Sequence, residues 1–574
     1  MRKAIFTIFT VIVCIGYLQA QENPLPTERL IIIKPYSPEV SDAFKMKQLP
    51  KLNDSLTTSK EQPEYSVLSV PVASTFVPEK GTAAEVETEP QASIYDNYAR
   101  LGFGNYTTIL GEFYGTYRFN DSQNLGISFA HNSSQGGIDG VLLDDKFYDT
   151  ELGLDFSSNG IYYNWGVQLD AMHKLVNWYG LPEGFFDLET INSIDPQQSY
   201  YGVSLGGDIE YYEGLFDRAE LTYRRFGDAY GSGENHVRFA PEFGVPIGEQ
   251  TISLDIFADY VSGNFDQHYF SNEELKYSNF NFGAHPSLMI HAGKLSVDLG
   301  AEVVYAMDLE NDKNDFFIYP KVKASYRVAD GYFVPYAGVD GGLVQNTYYD
   351  FVQENPFVSP TLQIVPTNNM YKAFVGAKGK FTENVGYNFS ADYGQSDNKA
   401  FFSSHPRGMV AFSGENYQFG NSFGVVYDDL NTLGLHAELN ATVNEKLQLR
   451  LNASYFDYET DEQAEAWNLP EIKASLNANY QITEKWSAGA DLFFVGERKE
   501  RDVIIGDFPP YETVTVIPLD SYFDANLEVG YQFNDRLSAF LKGSNLFGEN
   551  YERWKNFPVQ GIQVLGGVTY QFNW

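Results

Sequence analysis

The last fourteen residues, Gly561 to Trp574, constrain the fold of this chain more than any other segment. Apolar residues and glycine occupy every second position from Ile562 to Trp574, and most of the intervening side chains are polar. Such long alternation, ending on an aromatic residue, is typical of a strand with one face in lipid and the other in a polar lumen. Soluble strands also alternate, but they are usually shorter. The segment therefore predicts the closing strand of a membrane barrel, with Val564, Val568, Tyr570, Phe572 and Trp574 on its apolar face.

The same alternation recurs through residues 98–574. Residues 252–260, 295–305, 472–482 and 523–533 each alternate apolar with polar side chains, and each has Tyr or Phe at or next to the end of its apolar face. The chain contains 41 Tyr and 44 Phe, yet its mean hydropathy is only −0.31. Abundant aromatic residues with low hydropathy favour a β-barrel over membrane helices, because only alternate side chains face lipid and aromatic girdles mark both interfaces.

Tight and long connections also alternate along the chain, which gives a strand count. Outer-membrane barrels have short periplasmic turns, long extracellular loops and an even number of strands. Twenty-three segments resemble strands, but the alternation of connections slips once, near 417–428. Assigning 397–432 to an extracellular excursion predicts an all-β, antiparallel transmembrane barrel of about 22 strands over 98–574. The tight turns are expected near 120–124, 248–250, 292–293, 329–331, 382–384, 483–485 and 534–536, and the long loops near 133–146, 180–197, 264–277, 346–368, 459–471, 498–520 and 548–560.

The amino-terminal region differs from the barrel. Residues 1–20 have the charged, apolar and small-residue parts of a signal peptide, and the only cysteine, Cys14, lies within it. Disulfides and cysteine–metal sites are therefore not expected in the mature chain. Residues 21–97 contain nine prolines and many polar residues, and we expect them to form a periplasmic segment without a folded domain.

The net charge and the motif content of the sequence narrow the classes of function to be considered. A net charge of −37 argues against nucleic acid as a partner. One interpretation is that acidic loops and lumen residues keep the barrel solvated, and the other is a cation-attracting vestibule or divalent bridging to lipopolysaccharide. Outer-membrane lipid and lipopolysaccharide are the expected surroundings. No phosphate-binding glycine loop, nucleophile elbow or metal-ligand spacing is present, so we expect no catalytic residues, cofactor or metal and no enzyme activity. The eight histidines are scattered at positions 131, 173, 236, 268, 285, 291, 405 and 436.

The carboxy-terminal region resembles a known family. The run Asn545-Leu546-Phe547, followed by Tyr551, Pro558 and Gly561, is similar to the last two strands of TonB-dependent receptors. Segments 101–106 and 34–45 further resemble receptor-like barrels of Bacteroidetes. The resemblance implies a TonB-dependent receptor-like barrel of 22 strands. Members of that family carry a folded plug ahead of the barrel, whereas 21–97 is too short and too polar for one, so we expect the plug to be absent.

A short aliphatic run near the amino terminus is a candidate partner strand. Glu28, Leu30, Ile31, Ile32 and Ile33 faintly resemble the box that pairs with TonB, and the alternative is a strand for another periplasmic or envelope protein. TonB itself stays open as a partner.

Two functions follow from this organisation. The first is a receptor-like barrel for uptake or passage of solutes, and the alternative is a plugless structural or assembly scaffold that docks envelope proteins. A barrel of 22 strands is too wide for side chains alone to fill, so loops, a plug or water must occupy it. The predicted lumen-facing residues are polar and of mixed charge: Arg450, Asn452, Lys473, Asn477, Asn479, Asp524 and Glu528.

Overall fold

The computed structural model describes residues 95–248, 250–329, 331–406, 414–505 and 512–574. The chain divides into two units, Met1–Ile94 and Tyr95–Trp574, and the described fold belongs to the second. The predicted signal peptide, nearly all of the proline-rich segment, and the candidate strand at Glu28 and Leu30 to Ile33 lie outside the described residues.

Twenty-two strands form one antiparallel sheet that closes on itself. Neighbouring strands in the ring are antiparallel, and β1 pairs with both β2 and β26, so the sheet has no free edge. This confirms the predicted all-β barrel of 22 strands. The barrel strands are β1 Asn97–Gly104, β2 Ile109–Asn120, β3 Gln123–Ser134, β4 Phe147–Asn159, β5 Tyr163–Asn177, β6 Gln197–Tyr211, β7 Phe216–Asp228, β8 Gly233–Ile247, β9 Gln250–Phe265, β10 Leu275–Ala292, β11 Leu295–Asp308, β12 Lys313–Tyr326, β13 Val334–Val344, β14 Thr367–Thr382, β15 Val385–Ser404, β16 Phe423–Asn444, β17 Leu447–Thr460, β18 Ile472–Gln481, β19 Trp486–Val495, β22 Tyr522–Gln532, β23 Leu537–Ser544 and β26 Gln563–Phe572.

A few short elements lie in the connections. The hairpin of β20 and β21 stands between β19 and β22, and a second, very short strand pair stands between β23 and β26. Neither described helix is long and apolar enough to cross a membrane. These elements are β20 Arg498–Ile505, β21 Glu512–Leu519, β24 Glu552–Trp554, β25 Phe557–Pro558, a 3₁₀ turn Asn105–Thr107, α1 Leu188–Ser193 and α2 Tyr348–Glu354.

The alternation of side chains determines which face of each strand meets lipid and which face meets the lumen. In β26, Val568 is 46% exposed and pairs across the sheet with the exposed Leu101 of β1. The next residue, Thr569, pairs with Arg100, whose guanidinium donates to the Glu528 carboxylate on the inner face. Apolar side chains therefore cover the outside of the barrel and polar ones line the lumen.

The two ends of the barrel differ in the length of their connections. All the predicted tight turns lie at one end, which we call the turn end, and all the predicted long loops lie at the other, the loop end. Gly248 and Gly293, with φ of 67° and 59°, occupy two of the tight turns, where a left-handed backbone favours glycine.

The predicted excursion at 397–432 contains the outer ends of two long strands. Within it, β15 runs on to Ser404 and β16 begins at Phe423. These strands have 20 and 22 residues, more than a membrane crossing needs. Their pairing shifts register between Ser396 and Lys399, which is the irregularity of a β-bulge. A register shift of this kind alters the side-chain alternation without ending the strand.

Candidate functional site: the lumen and its lid

The inner wall of the barrel is polar and carries both charges. The seven predicted lumen residues lie on the inward face; Arg450, for example, pairs directly with Asn477 of the next strand. Near the turn end, a recess of about 710 Å³ is open along β17 to β19, β22 and β23. Asn479, Asp491 and Glu528 are among the residues that line this recess, so its surface suits water and polar solutes.

Several charges on the wall are paired between adjacent strands. Asp259 accepts hydrogen bonds from His236 and Arg238, each at 2.8 Å. Lys321 lies 2.9 Å from an Asp340 oxygen and 3.4 Å from a Glu302 oxygen. Within the described residues, no group of His, Cys, Asp and Glu side chains is arranged to hold a metal ion. The wall therefore presents a mixed polar surface on which some of the acids are paired with bases.

An apolar core fills the loop end. We call the connections 178–196, 345–366, 405–422 (as far as described) and 545–562 the lid. Its side chains pack against one another and against the loop ends of β5 to β7, β9, β10, β15 and β16. The buried apolar residues of the lid are Trp178, Tyr179, Leu181, Ile191, Ile194, Tyr348, Phe351, Val352, Val358, Leu362, Ile364, Tyr417, Phe419 and Phe557.

Three aromatic rings from three different connections meet in the lid. The Phe357 and Phe557 ring centroids are 4.0 Å apart, and Tyr179 lies 4.9 Å from Phe557 and 5.5 Å from Phe357. The three connections that carry these rings follow β5, β13 and β23, so they leave the ring of 22 strands about a third of the circumference apart. Tyr179 lies only two residues beyond the end of β5, so the other two connections must reach across the mouth to meet it. The lid therefore bridges the mouth of the barrel.

A second contact joins connections that come from opposite walls of the barrel. Trp178 follows β5, and Tyr417 precedes β16, which lies on the opposite wall of the ring. Their rings pack edge to face with centroids 5.5 Å apart, and Asn421 donates a hydrogen bond of 3.0 Å to the Trp178 carbonyl. This contact ties the two halves of the lid together.

The hairpin β20–β21 braces the lid from one side. Glu500 is fully buried and accepts hydrogen bonds of 2.8 Å from the Ser404 backbone N–H and the Asn468 side chain. Burial raises the pKa of Glu500 to about 7. Asp502 forms an ion pair with Lys555, a lid residue between β24 and β25. The hairpin thus connects β15 to the segment that carries Phe557.

A buried histidine lies within the lid. His405 stacks on Tyr269 with ring centroids 3.6 Å apart, and one of its ring nitrogens lies 2.8 Å from the Ser359 hydroxyl. Burial lowers the pKa of His405 to about 3, so the imidazole stays neutral at physiological pH. It therefore acts as a packed, hydrogen-bonded core residue.

The residues of the predicted closing strand lie at the seam of the barrel. Val564, Val568, Tyr570 and Phe572 belong to β26, which joins β23 to β1. Trp574 lies just beyond the strand, and its indole N–H donates to the Thr116 carbonyl at 2.8 Å.

The family-like motif shapes the lid segment 545–562. Asn545, in a left-handed conformation, donates to the backbone carbonyls of Glu549 and Gln560 and so closes the base of the segment. Tyr551 stacks on Tyr522 with centroids 4.0 Å apart. Leu546 and Phe547 are exposed on the outside. The Pro558 carbonyl accepts from the Tyr179 hydroxyl at 2.9 Å, and the Gly561 N–H donates to the Gly137 carbonyl at 3.1 Å.

Sequence reasoning missed the acids that hold the lid. Glu234 and Glu500 are both fully buried and accept backbone N–H groups from lid segments or neighbouring strands. Neither belongs to a recognisable motif, so no local signal could have identified them. Phe557 directly precedes the motif residue Pro558, but its contacts with Tyr179 and Phe357 depend on the closure of the barrel.

Comparison with known proteins agrees with this architecture. A model of the family described as TonB dependent receptor-like, beta-barrel matches residues 95–546. Among solved structures, the pyoverdine outer membrane receptor FpvA from Pseudomonas aeruginosa PAO1, bound to pyoverdine, is 12% identical with a TM-score of 0.62, covering 84% of this chain and 79% of that one. The ferric-catecholate import receptor Fiu from K12 E. coli is 10% identical, with a TM-score of 0.59 over 83% and 81% of the chains.

A third neighbour is a metal transporter. The copper transporter OprC is 13% identical, with a TM-score of 0.59 over 83% of this chain and 80% of that one. At these identities the neighbours show a common fold. No curated protein sequence matches the chain significantly.

The barrel and the family match define the class of this protein. It is an outer-membrane β-barrel, and the chain belongs to the TonB-dependent receptor-like β-barrel family. In outer-membrane barrels the tight turns face the periplasm and the long loops face outward. The lid therefore lies on the extracellular side.

Proposed function

We propose that this protein takes up a solute across the outer membrane through the lumen of its barrel. The observation that carries this proposal is a closed, polar-lined barrel of the receptor family whose outer mouth is bridged by its own loops. A passive pore needs no such closure, whereas a selective passage must exclude other solutes while it is at rest. No residue is assigned a catalytic role.

The chemical class of the solute is open to test. The wall offers hydrogen-bonding groups and paired charges, which suits a polar or charged cargo. The neighbouring structures include a receptor bound to pyoverdine, a ferric-catecholate import receptor and a copper transporter. Ferric siderophores and copper ions are therefore the first cargoes to test on this chain.

The amino-terminal segment supplies the second part of the proposal. We place 21–97 in the periplasm, where its proline-rich composition suits an extended arm. Glu28 and the aliphatic run Leu30 to Ile33 would pair as a strand with TonB or with another envelope protein. Lipopolysaccharide and lipid would surround the apolar outer face of the barrel.

Binding and uptake test the proposal separately. Purified full-length protein in detergent is titrated with ferric siderophores of several chemical types and with Cu²⁺, and its tryptophan fluorescence is followed. We expect one class to change the fluorescence, because Trp178 and Trp467 are buried at the loop end. Uptake of that cargo is then measured in cells with and without TonB.

Three outcomes are distinct. Uptake that depends on both the protein and TonB supports energised transport, and uptake without TonB supports passive passage. The scaffold alternative predicts neither binding nor uptake, together with an envelope-assembly defect when the gene is deleted. That combination of results would overturn the proposal.

A further inference from the structure

One lid segment differs from the others in how it is attached. The connection 345–366, which we call the strap, leaves β13, crosses to the wall formed by β6 to β10, and returns to β14. Its helix α2, near the start of the strap, is amphipathic. Tyr348, Phe351 and Val352 are buried in the lid core, whereas Asp350, Gln353 and Glu354 are exposed.

The exposed face of α2 looks into the lumen. Gln353 accepts a hydrogen bond of 3.2 Å from Lys174, and the Arg224 guanidinium lies 3.9 Å from the ring centroid of Tyr349. Both cations belong to the inward face of the wall, on β5 and β7. The helix thus forms a ceiling, with its apolar side against the lid and its polar side above the lumen.

A buried carboxylate anchors the start of the helix. Glu234, near the outer end of β8, accepts from the Tyr348 backbone N–H at 2.6 Å and from the Tyr277 hydroxyl at 2.7 Å. Its side chain has no exposure to solvent. Two further bonds flank this anchor: Tyr348 donates its hydroxyl hydrogen to Asp228 at 2.7 Å, and Tyr200 donates to the Pro356 carbonyl at 2.9 Å.

The two sides of the strap are held by different kinds of bond. Toward β16, backbone groups pair, because Ser359 donates to the Phe423 carbonyl and Phe423 donates to the Phe357 carbonyl. Toward β6 to β10, every described hydrogen bond of the strap uses a side chain on at least one partner. The strap therefore has a hinged side, formed by β13, β14 and β16, and a latched side at Glu234.

We propose that the strap is the movable gate of the lumen, and that release of its backbone from Glu234 opens the barrel to the outside. This inference rests on the proposed passage of a solute through the lumen. Swinging on its hinged side, the strap would withdraw α2 from the ceiling. Phe357 would stay in place, because its carbonyl accepts from the Phe423 backbone N–H on that side. The wall would stay intact, because its backbone ladder does not pass through the strap.

Cysteine labelling tests the position of the strap directly. The only native cysteine, Cys14, lies in the predicted signal peptide, so an introduced cysteine is expected to be the only reactive thiol. Gln353→Cys is placed on the lumen side of the strap, and intact cells are treated with a membrane-impermeant maleimide. We expect slow labelling with Glu234 intact. We expect labelling roughly tenfold faster or more with Glu234→Ala, since the hydrogen bond from the Tyr348 backbone to a buried carboxyl is lost.

Two control variants make the result interpretable. Leu188→Cys, on α1 at the loop end and 74% exposed, should label rapidly whatever residue occupies position 234. Glu234→Gln keeps the size of the side chain and one acceptor, and should give an intermediate rate. Barrel folding is checked by the compact migration of unheated protein on a denaturing gel. Equal labelling of Gln353→Cys in folded proteins with Glu234 and with Ala at this position would overturn the inference.

A reversible crosslink tests whether the strap controls ion conductance, independently of cargo uptake. Lys174→Cys with Gln353→Cys, joined by a cleavable bifunctional maleimide, should hold the strap shut in the Glu234→Ala background and abolish its ion conductance in planar bilayers. Cleavage of the linker should restore the conductance. The matched control joins Asn477→Cys to Asp491→Cys, two neighbouring wall positions whose native side chains are hydrogen-bonded, and should leave conductance unchanged.

The outcomes of the two proposals are distinguishable. If labelling and conductance of the strap variants are as expected but no cargo is taken up, the results contradict the proposed function and still support the gate. Conductance that the strap crosslink does not affect would overturn the gate even if uptake were observed.

Discussion

Val568 and Thr569 are adjacent in β26, yet their side chains meet different surroundings. Val568 lies on the exposed apolar face, and Thr569 pairs with Arg100 on the lumen face. We expect Val568→Lys to lower the free energy of unfolding by roughly 2–4 kcal/mol if it lies near the bilayer midplane, and Thr569→Lys to have little effect. Folding yields into lipid vesicles across a urea series measure both. Equal losses would mean that the assigned facing is wrong.

Glu500 should make the lid sensitive to pH. Burial raises its folded pKa to about 7, above the ordinary value of 4.5, so the folded state holds this proton over a range in which the unfolded state has lost it. Stability should therefore fall as pH rises from about 4.5 to 7, by about 3 kcal/mol in total, and stay level above that range.

The nearby Trp467 reports this change. It is 1% exposed and precedes Asn468, which donates to Glu500. Urea unfolding of the lid is monitored by the fluorescence of Trp467, obtained as the difference between the parent protein and Trp467→Phe. The midpoint should lie at a lower urea concentration at pH 8 than at pH 5. Glu500→Gln should remove most of this difference. A pH dependence that survives the substitution would assign it to another group.

At the scale of elements, the lid depends on close contacts between connections. Gly180 lies beside the Phe557 ring, and a Cβ at position 180 would come 2.3 Å from a carbon of that ring. Because such a distance is too short for two carbons, Gly180→Ala should displace Phe557 from the cluster with Tyr179 and Phe357. We expect a loss of roughly 1–3 kcal/mol in lid stability and a higher ion conductance.

The matched control substitutes a glycine of the wall. A Cβ at Gly206 would meet its nearest neighbour, the Gln168 Cβ, at 3.7 Å, an ordinary contact. Gly206→Ala should therefore leave conductance unchanged. If both variants conduct like the parent protein, the ring cluster does not close the mouth.

At the scale of the whole molecule, the described barrel begins with β1 at Asn97, after the proline-rich segment. We predict that limited proteolysis of detergent-extracted protein removes residues before about 95 and leaves a barrel that still migrates compactly before heating. The reason is that a closed sheet has no edge from which to unfold, whereas nine prolines in 21–97 oppose a packed core. A protease-resistant fragment within 21–94 would indicate a folded domain there.

Much of the barrel was predictable from the sequence because its pattern is local. Alternation with period two identifies the strands and their faces, and the lengths of the connections order the two ends of the barrel. The outer ends of β15 and β16, inside the predicted excursion 397–432, were not predicted as strands, because the β-bulge interrupts the period while the strands continue. The last two strands also carried the family resemblance, since Asn545 and its neighbours form a short local motif.

By itself, the sequence determined that this chain forms a closed outer-membrane barrel with a polar lumen. The reason is that the alternation of side chains within each strand sets which face meets lipid and which meets the lumen. Only the tertiary structure decided what closes the mouth. Tyr179 and Phe557 lie far apart in the chain, and Glu234 lies far from the Tyr348 that it holds. Such partners have no periodic relation in sequence. They meet because closure of the barrel brings distant connections together at its loop end, where burial of their apolar side chains outweighs the entropy of ordering them.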